Sequence, residues 1–311
     1  MGGGTRDTMT PTLLEALKTR VLLGDGAMGT QLMFAGLEQG ACGEAWNLTH
    51  PDRVLAIQRR YAEAGSDCIL TNTFGGSRIM LNRHGHAEDV AGVNKAAVAI
   101  TREAFGGRPG FVIGDVGPFG GLMEPYGDFT ERQVREAFTE QAEALIEAGA
   151  DAIIIETQTS LEELGIGIEA AQEAGAPCII GSLAYDVTLD GSTFRTMMGI
   201  DPEQAAEFMA EKGAHVIALN CGTRMDMDRA REAVIRYRAV SSLPIMAQPN
   251  AGQPQLVNMK VVYDETPEQM VLGVAPLIEA GANIIGACCG STPDHIRAFR
   301  AAIDEYERSR K

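Results

Sequence analysis

Four copies of one short phrase constrain this chain more than any other feature. EAGSDCILTNT (63–73), EAGADAIIIET (147–157), EKGAHVIALNC (211–221) and EAGANIIGACC (279–289) each pass from a helical tail through a glycine into a β-rich apolar run. Gly65, Gly149, Gly213 and Gly281 suit the left-handed position that closes a helix. The apolar runs read as strands buried on both faces. Four further runs lie between the repeats: VLLGD (21–25), FVIGD (111–115), PCIIGSLA (177–184) and LPIMAQP (243–249). The segments between them carry helix start signals. Thr130 with Gln133, and Ser160 with Glu163, have capping-box spacing, while Asp201-Pro202 and Thr266-Pro267 set a cap residue before proline. Val134, Phe138, Ala142 and Leu145 fall on one helical face.

Strands alternating with helices in this way predict an α/β fold, a single (β/α)8 TIM barrel. A doubly wound sheet is the alternative, but GxGxxG is absent and no change of composition marks a second domain. The expected organisation is an N-terminal tail and lead-in helix over 1–17, a barrel over 18–305 and a C-terminal tail over 306–311. Chemistry in such barrels sits at the carboxyl ends of the strands. The residues closing the runs are Asp25, Thr71 to Thr73, Asp115, Glu156, Ser182, Asn220-Cys221, Gln248 and Cys288-Cys289.

That filter selects three of the six cysteines. Cys68 and Cys178 lie within strands or at their starts and read as small buried hydrophobes, while Cys42, in the loop after the first strand, is left open. Neighbouring cysteines rarely bridge each other, because disulfide geometry asks for side-chain vectors that adjacent residues do not offer. Cys288 and Cys289 are then two unrelated buried thiols, a redox pair without a CxxC, or two ligands of one metal. Strands six and eight share parity, so Cys221 closes onto the same opening, and Gly286 and Gly290 let both neighbouring thiols turn toward it. Three thiolates with a fourth position left open fit a catalytic zinc ion. Such an electron-rich site suits binding an incoming thiol and keeping it a thiolate, which implies alkyl transfer to sulfur.

Composition narrows the partners. The formal net charge of −16 disfavours nucleic acid and anionic membranes and favours a small molecule. No apolar run approaches membrane-spanning length, the opening MGGGTRDTM has no signal-type stretch, and six cysteines in so long a chain are no disulfide framework. A cytoplasmic location is expected.

GDGAMGTQL (24–32), ILTNTFGGS (69–77), GDVGP (114–118), ETQTSLEE (156–163), LNCGT (219–223) and GACCGSTPDHI (286–296) together resemble the homocysteine S-methyltransferase family. That family includes betaine–homocysteine methyltransferase and the homocysteine module of cobalamin-dependent methionine synthase, and the resemblance covers roughly 18–300. Ala287 and Ser291 depart from the common pattern, and neither is expected to touch the ligands. The resemblance implies zinc held by Cys221, Cys288 and Cys289, with homocysteine sulfur as fourth ligand. It implies that backbone N–H groups of Ala27 and Met28 hold the amino-acid carboxylate, with small residues such as Gly26 permitting the approach. It also implies that Glu156 and Asp25 face the ammonium group.

The donor is less constrained. The chain ends one helix after CCG, so no attached folate or corrinoid module is expected. A small onium compound such as betaine comes first, with a methylcorrinoid on a separate protein or S-methylmethionine as alternatives. The stretch 44–78 looks more like the betaine and cobalamin types. A quaternary ammonium is recognised by aromatic faces. Aromatics make up only 5% of the chain, yet Trp46, Phe74, Phe119, Tyr126 and Tyr185 all follow strands on the mouth side. Trp46 and Tyr185 are the donor-side candidates, against the plainer reading that Trp46 anchors its loop. The partners expected are homocysteine and a methyl donor, with a homo-oligomer or a corrinoid protein left open. A non-zinc barrel lyase would need a lysine at a strand end, and Lys95, Lys212 and Lys260 do not close one.

Overall fold

The computed structural model describes residues 11–257 and 260–310. Eight parallel strands form one sheet: β1 (Leu22–Leu23), β2 (Cys68–Leu70), β3 (Phe111–Val116), β4 (Ala152–Gln158), β5 (Ile179–Leu183), β6 (Val216–Asn220), β7 (Ile245–Gln248) and β8 (Ile284–Ile285). Their spatial order is β1-β8-β7-β6-β5-β4-β3-β2, so β2 to β8 pair in sequence order and β1 pairs with β8. The remaining seam, between β1 and β2, is laced by one backbone bond and two carboxylates. Asp67 N–H donates to the Leu23 carbonyl at 2.7 Å, and the Leu23 and Leu70 N–H groups donate to the carboxylates of Asp67 and Asp25, each at 2.9 Å. The fold is a single (β/α)8 barrel.

The refrain glycines do what their positions require. Gly65, Gly149, Gly213 and Gly281 have φ of 108°, 95°, 85° and 114°, the left-handed turn that ends a helix before its strand. Thr130, Asp201 and Thr266 each complete a reciprocal capping box. Ser160 makes half of one: its hydroxyl caps Glu162 and Glu163, but the Glu163 carboxylate turns away to accept the buried Phe119 N–H at 2.8 Å. That contact ties the helix after β4 to the loop after β3.

The interior of the barrel is filled by Leu22, Cys68, Ile154, Cys178, Ile180, Ala218, Met246 and Ile284, all essentially inaccessible. Cys68 and Cys178 are packing residues, as expected. The lead-in helix Leu13–Ala16 adds Leu13, Ala16 and Leu17 to the same cluster and plugs the amino-terminal end of the barrel. The final helix spans Pro293–Ser309, so 306–309 are helical rather than part of a tail. Between barrel and helices lies the larger apolar layer, in which Val134, Phe138 and Leu145 are fully buried. Small hairpins follow β5 (Asp186–Val187 with Phe194–Arg195) and β7 (Pro254–Val257 with Lys260–Tyr263). Closing the opposite end this tightly leaves the carboxyl ends of the strands as the place where a cavity can open.

Candidate metal and substrate site at the barrel mouth

The thiol loops are set by backbone geometry. Cys221 leaves β6 with φ of 54°, a left-handed conformation that a non-glycine residue rarely adopts and that costs of order 1–3 kcal/mol. The next residue can only be glycine: at Gly222 φ is 93°, and a Cβ would stand 1.8 Å from the Tyr185 carbonyl oxygen. The backbone continuing from β7, the strand between them, laces both loops. Cys221 N–H donates to the Gln248 carbonyl (3.2 Å), Cys288 N–H to that of Pro249 (2.8 Å), and Ala251 N–H to that of Cys289 (2.9 Å).

This brings the three thiols together. The Sγ atoms lie within 4.8 Å of one another, with Cys221–Cys289 at 3.7 Å and Cys288–Cys289 at 4.0 Å. A tetrahedral zinc ion with bonds of about 2.3 Å needs sulfurs about 3.8 Å apart, so the donor set fits that ion. Two neighbouring S–H groups, the Gly222 N–H and the Asn250 side chain all favour charge on Cys221, and its pKa is pushed down to about 3. Cys288 moves the other way, since it is the donor in that arrangement.

The same cavity carries buried acids. About 410 Å³ in volume, it is lined by Cys221, Cys288 and Cys289 together with Glu44, Asp115 and Glu156. No lysine or arginine is among the described residues lining it. Glu156, 7% exposed, is raised to about 8 by burial first and then by the charges of Asp25 and Cys221. Asp25, 5% exposed and raised to about 7 by burial, lies behind it with one oxygen committed to Leu70 N–H. A network of Asn220 positions the neighbouring backbone: its oxygen accepts from Thr157 N–H (3.1 Å) and Ser182 Oγ (2.7 Å), and its nitrogen donates to Thr157 Oγ1 (2.6 Å). Buried acids with no cation beside them and a thiolate-forming cluster make a receptor for a small molecule carrying a positive charge and a sulfur.

Residues 22–303 match the family model described as homocysteine S-methyltransferase. The chain belongs to the homocysteine S-methyltransferase family. Methionine synthases of Mycobacterium leprae and Mycobacterium tuberculosis are 33% and 34% identical to it, over 94% and 95% of this chain. They are much longer proteins, and the chain spans about a quarter of their length (25% and 26%). Among solved structures, the metallated form of the homocysteine methyltransferase MmuM from Escherichia coli superposes with a TM-score of 0.76. It shares 21% identity, with 93% of this chain and 99% of that chain covered. A 3-dehydroquinate dehydratase from Geobacillus kaustophilus, at 11% identity and a TM-score of 0.53, shares the fold alone.

Within this family member, several expected site residues meet and others do not. Met28 lines the cavity beside Gly29, at the start of the short helix Gly29–Phe34. Ala27 lines the cavity as well, and its N–H donates to Ser291 Oγ at 3.0 Å. Ser291 in turn donates to the Cys288 carbonyl (2.8 Å), so the serine does bear on a ligand loop after all. Gly26 leaves room for that hydroxyl: a Cβ there would lie 2.6 Å from Ser291 Oγ. Trp46 and Tyr185 do not reach the cavity. Trp46 is buried under the Arg53 guanidinium, 5.1 Å from its ring centroid, with His50 on it at 4.9 Å. The Tyr185 hydroxyl pairs with that of Tyr237 at 2.8 Å, inside the helix layer. Of the aromatics considered for a cage, Phe74 alone lines the cavity among the described residues.

Two site residues escaped assignment from sequence. Asp115 closes β3 and was visible as a strand-end residue, but nothing there distinguished it from a structural acid. Tyr263 sits on the hairpin after β7, with its ring against Gly290 where a Cβ would come within 2.1 Å. The hydroxyl sits close enough to Cys289 to feel its charge. No local pattern carries that contact.

Proposed function

We propose that this chain transfers a methyl group to the sulfur of homocysteine, giving methionine. The observation that carries the reading is the shared cavity: three convergent thiols and buried carboxylates with no cation beside them line the same space. Cys221, Cys288 and Cys289 would hold zinc, which when bound supplies a Lewis acid that keeps the incoming thiol in its thiolate form at neutral pH. Glu156, with Asp25 behind it, takes the ammonium group. The first-turn N–H groups of Met28 and Gly29 take the carboxylate, helped by the positive end of that helix turn. With the amino-acid head fixed at both charges, the thiolate is held in one orientation. It attacks the methyl carbon of the donor, the bond between that carbon and the leaving group breaks, and the leaving group departs with the electron pair.

A small onium donor fits an acid-lined cavity, and betaine is the first compound to try. The aromatic cage does not support it, since Trp46 and Tyr185 are packed elsewhere. A methyl group presented by another domain or protein is the second reading, favoured by the length of the related methionine synthases. Purified protein given homocysteine and betaine, dimethylsulfonium compounds or methylcobalamin in turn, with methionine measured, tests both readings. No methionine from any donor, together with no homocysteine binding, would overturn the proposal.

A further inference from the structure

Asp115 is clamped through its backbone and left free at its side chain. Its N–H donates to Thr71 Oγ1 (3.0 Å), and its carbonyl accepts from Thr73 Oγ1 (2.7 Å) and Gln141 Nε2 (3.1 Å). The carboxylate lines the cavity, is 5% exposed, and its Oδ1 has no hydrogen-bond partner among the described residues. A buried carboxylate oxygen without a donor is costly unless something that binds there compensates it. The charges that bear on Asp115 are those of Glu156, Asp25 and Glu44, whereas Glu156 feels Asp25 and Cys221. The same cavity is lined by Glu44 and by the apolar side chains of Phe74, Leu37 and Ala41.

We propose that Asp115, with Glu44, forms a second cation subsite that takes a small organic onium ion, the charged group of the methyl donor. The assignment rests on the homocysteine reading given above, which sets one ammonium against Glu156 and Asp25 and leaves Asp115 unmatched. An onium ion donates no hydrogen bonds. It is held by a negative charge beside apolar surface, and the cavity that Asp115 lines also offers Phe74 and Leu37. A primary ammonium wants hydrogen-bond acceptors, and the reading above gives it Glu156 and Asp25.

Tetramethylammonium, titrated calorimetrically into the protein with and without saturating homocysteine, is the probe. Asp115→Asn keeps the side-chain shape and is expected to weaken tetramethylammonium binding by about tenfold or more. Homocysteine affinity should stay within about twofold. Glu44→Gln should give a smaller loss in the same direction, and it carries the test if the Asp115 variant does not fold. Glu156→Gln should show the reverse pattern, with homocysteine lost and tetramethylammonium kept. Equal tetramethylammonium binding by wild type and Asp115→Asn, or no binding by wild type, overturns the subsite. Parallel loss of homocysteine in Asp115→Asn also overturns it, placing that carboxylate on the amino-acid ammonium instead. Failure of wild type to bind homocysteine, with tetramethylammonium binding intact, would count against the functional reading and leave the subsite standing.

Discussion

At the scale of single residues, the thiols and Glu156 make separable demands. Serine at Cys221, Cys288 or Cys289 keeps the shape but loses the soft thiolate, so each variant should lose its metal and its turnover. The melting transition should persist, because the thiols sit at the mouth and the barrel interior is filled by other side chains. Elemental analysis against wild type, expected to carry about one zinc per chain, reads this directly. Glu156→Gln should leave metal content alone and weaken homocysteine by about 1.5–3 kcal/mol, the worth of a charge-assisted contact. A simple alkyl thiol lacking the amino-acid head should bind both proteins alike, and a loss shared by both ligands would point to a damaged fold. Residue by residue, legibility followed chemistry. Three cysteines at strand ends have few other uses, and the sequence exposed them. Trp46 and Tyr185 were chosen because aromatics are scarce, but scarcity says nothing of orientation. The Arg53 guanidinium stacked on Trp46 and the hydroxyl pair of Tyr185 with Tyr237 claimed both rings.

At the scale of elements, the refrain made the strands and helix ends legible because glycine at a positive φ and an apolar run are both local signals. What it could not show is how a strand stops. Cys221 turns its thiol inward only because its backbone leaves β6 left-handed, and that turn depends on Gly222 passing against the Tyr185 carbonyl. Gly222→Ala is therefore expected to displace the thiol loop. The cost should be about 2 kcal/mol or more in stability, along with a clear loss of zinc affinity measured by chelator competition. Unchanged zinc affinity in a folded Gly222→Ala protein would mean that the loop tolerates another conformation. The seam between β1 and β2 was equally hidden. Asp25 reads as a ligand-facing acid from its place at a strand end, but half of its carboxylate replaces a missing ladder bond to Leu70. No sequence pattern distinguishes an acid that meets a ligand from one that closes a barrel.

At the scale of the whole molecule, the acids of the mouth couple ligand binding to stability through pH. Glu156 holds its proton up to about 8 in the folded protein, against 4.5 ordinarily, and Asp25 up to about 7 against 3.8. Groups whose folded pKa is raised bind more protons in the folded state than in the unfolded one across that window. Their contribution therefore favours folding at low pH, and stability is lost as pH rises from the ordinary value through the folded one. Below about pH 4 both states are protonated and the acids make no difference; above about 8 the full penalty is present. The net charge of −16 adds a self-repulsion of the same direction, so the pH dependence of wild type alone cannot isolate the site. The difference between proteins can. Glu156→Gln removes one titrating acid and leaves the surface charge almost untouched. Its melting temperature, relative to wild type without ligand, should rise progressively between about pH 5 and 8. Homocysteine should do for wild type what the substitution does for the variant, because its ammonium pairs with the carboxylate that the fold leaves uncompensated. The ligand-induced shift in melting temperature should accordingly grow across that window in wild type and stay nearly flat in Glu156→Gln. A flat difference in the unliganded proteins would mean that Glu156 finds a counter-charge or water in the open cavity, and would remove the electrostatic reason for assigning the ammonium to it.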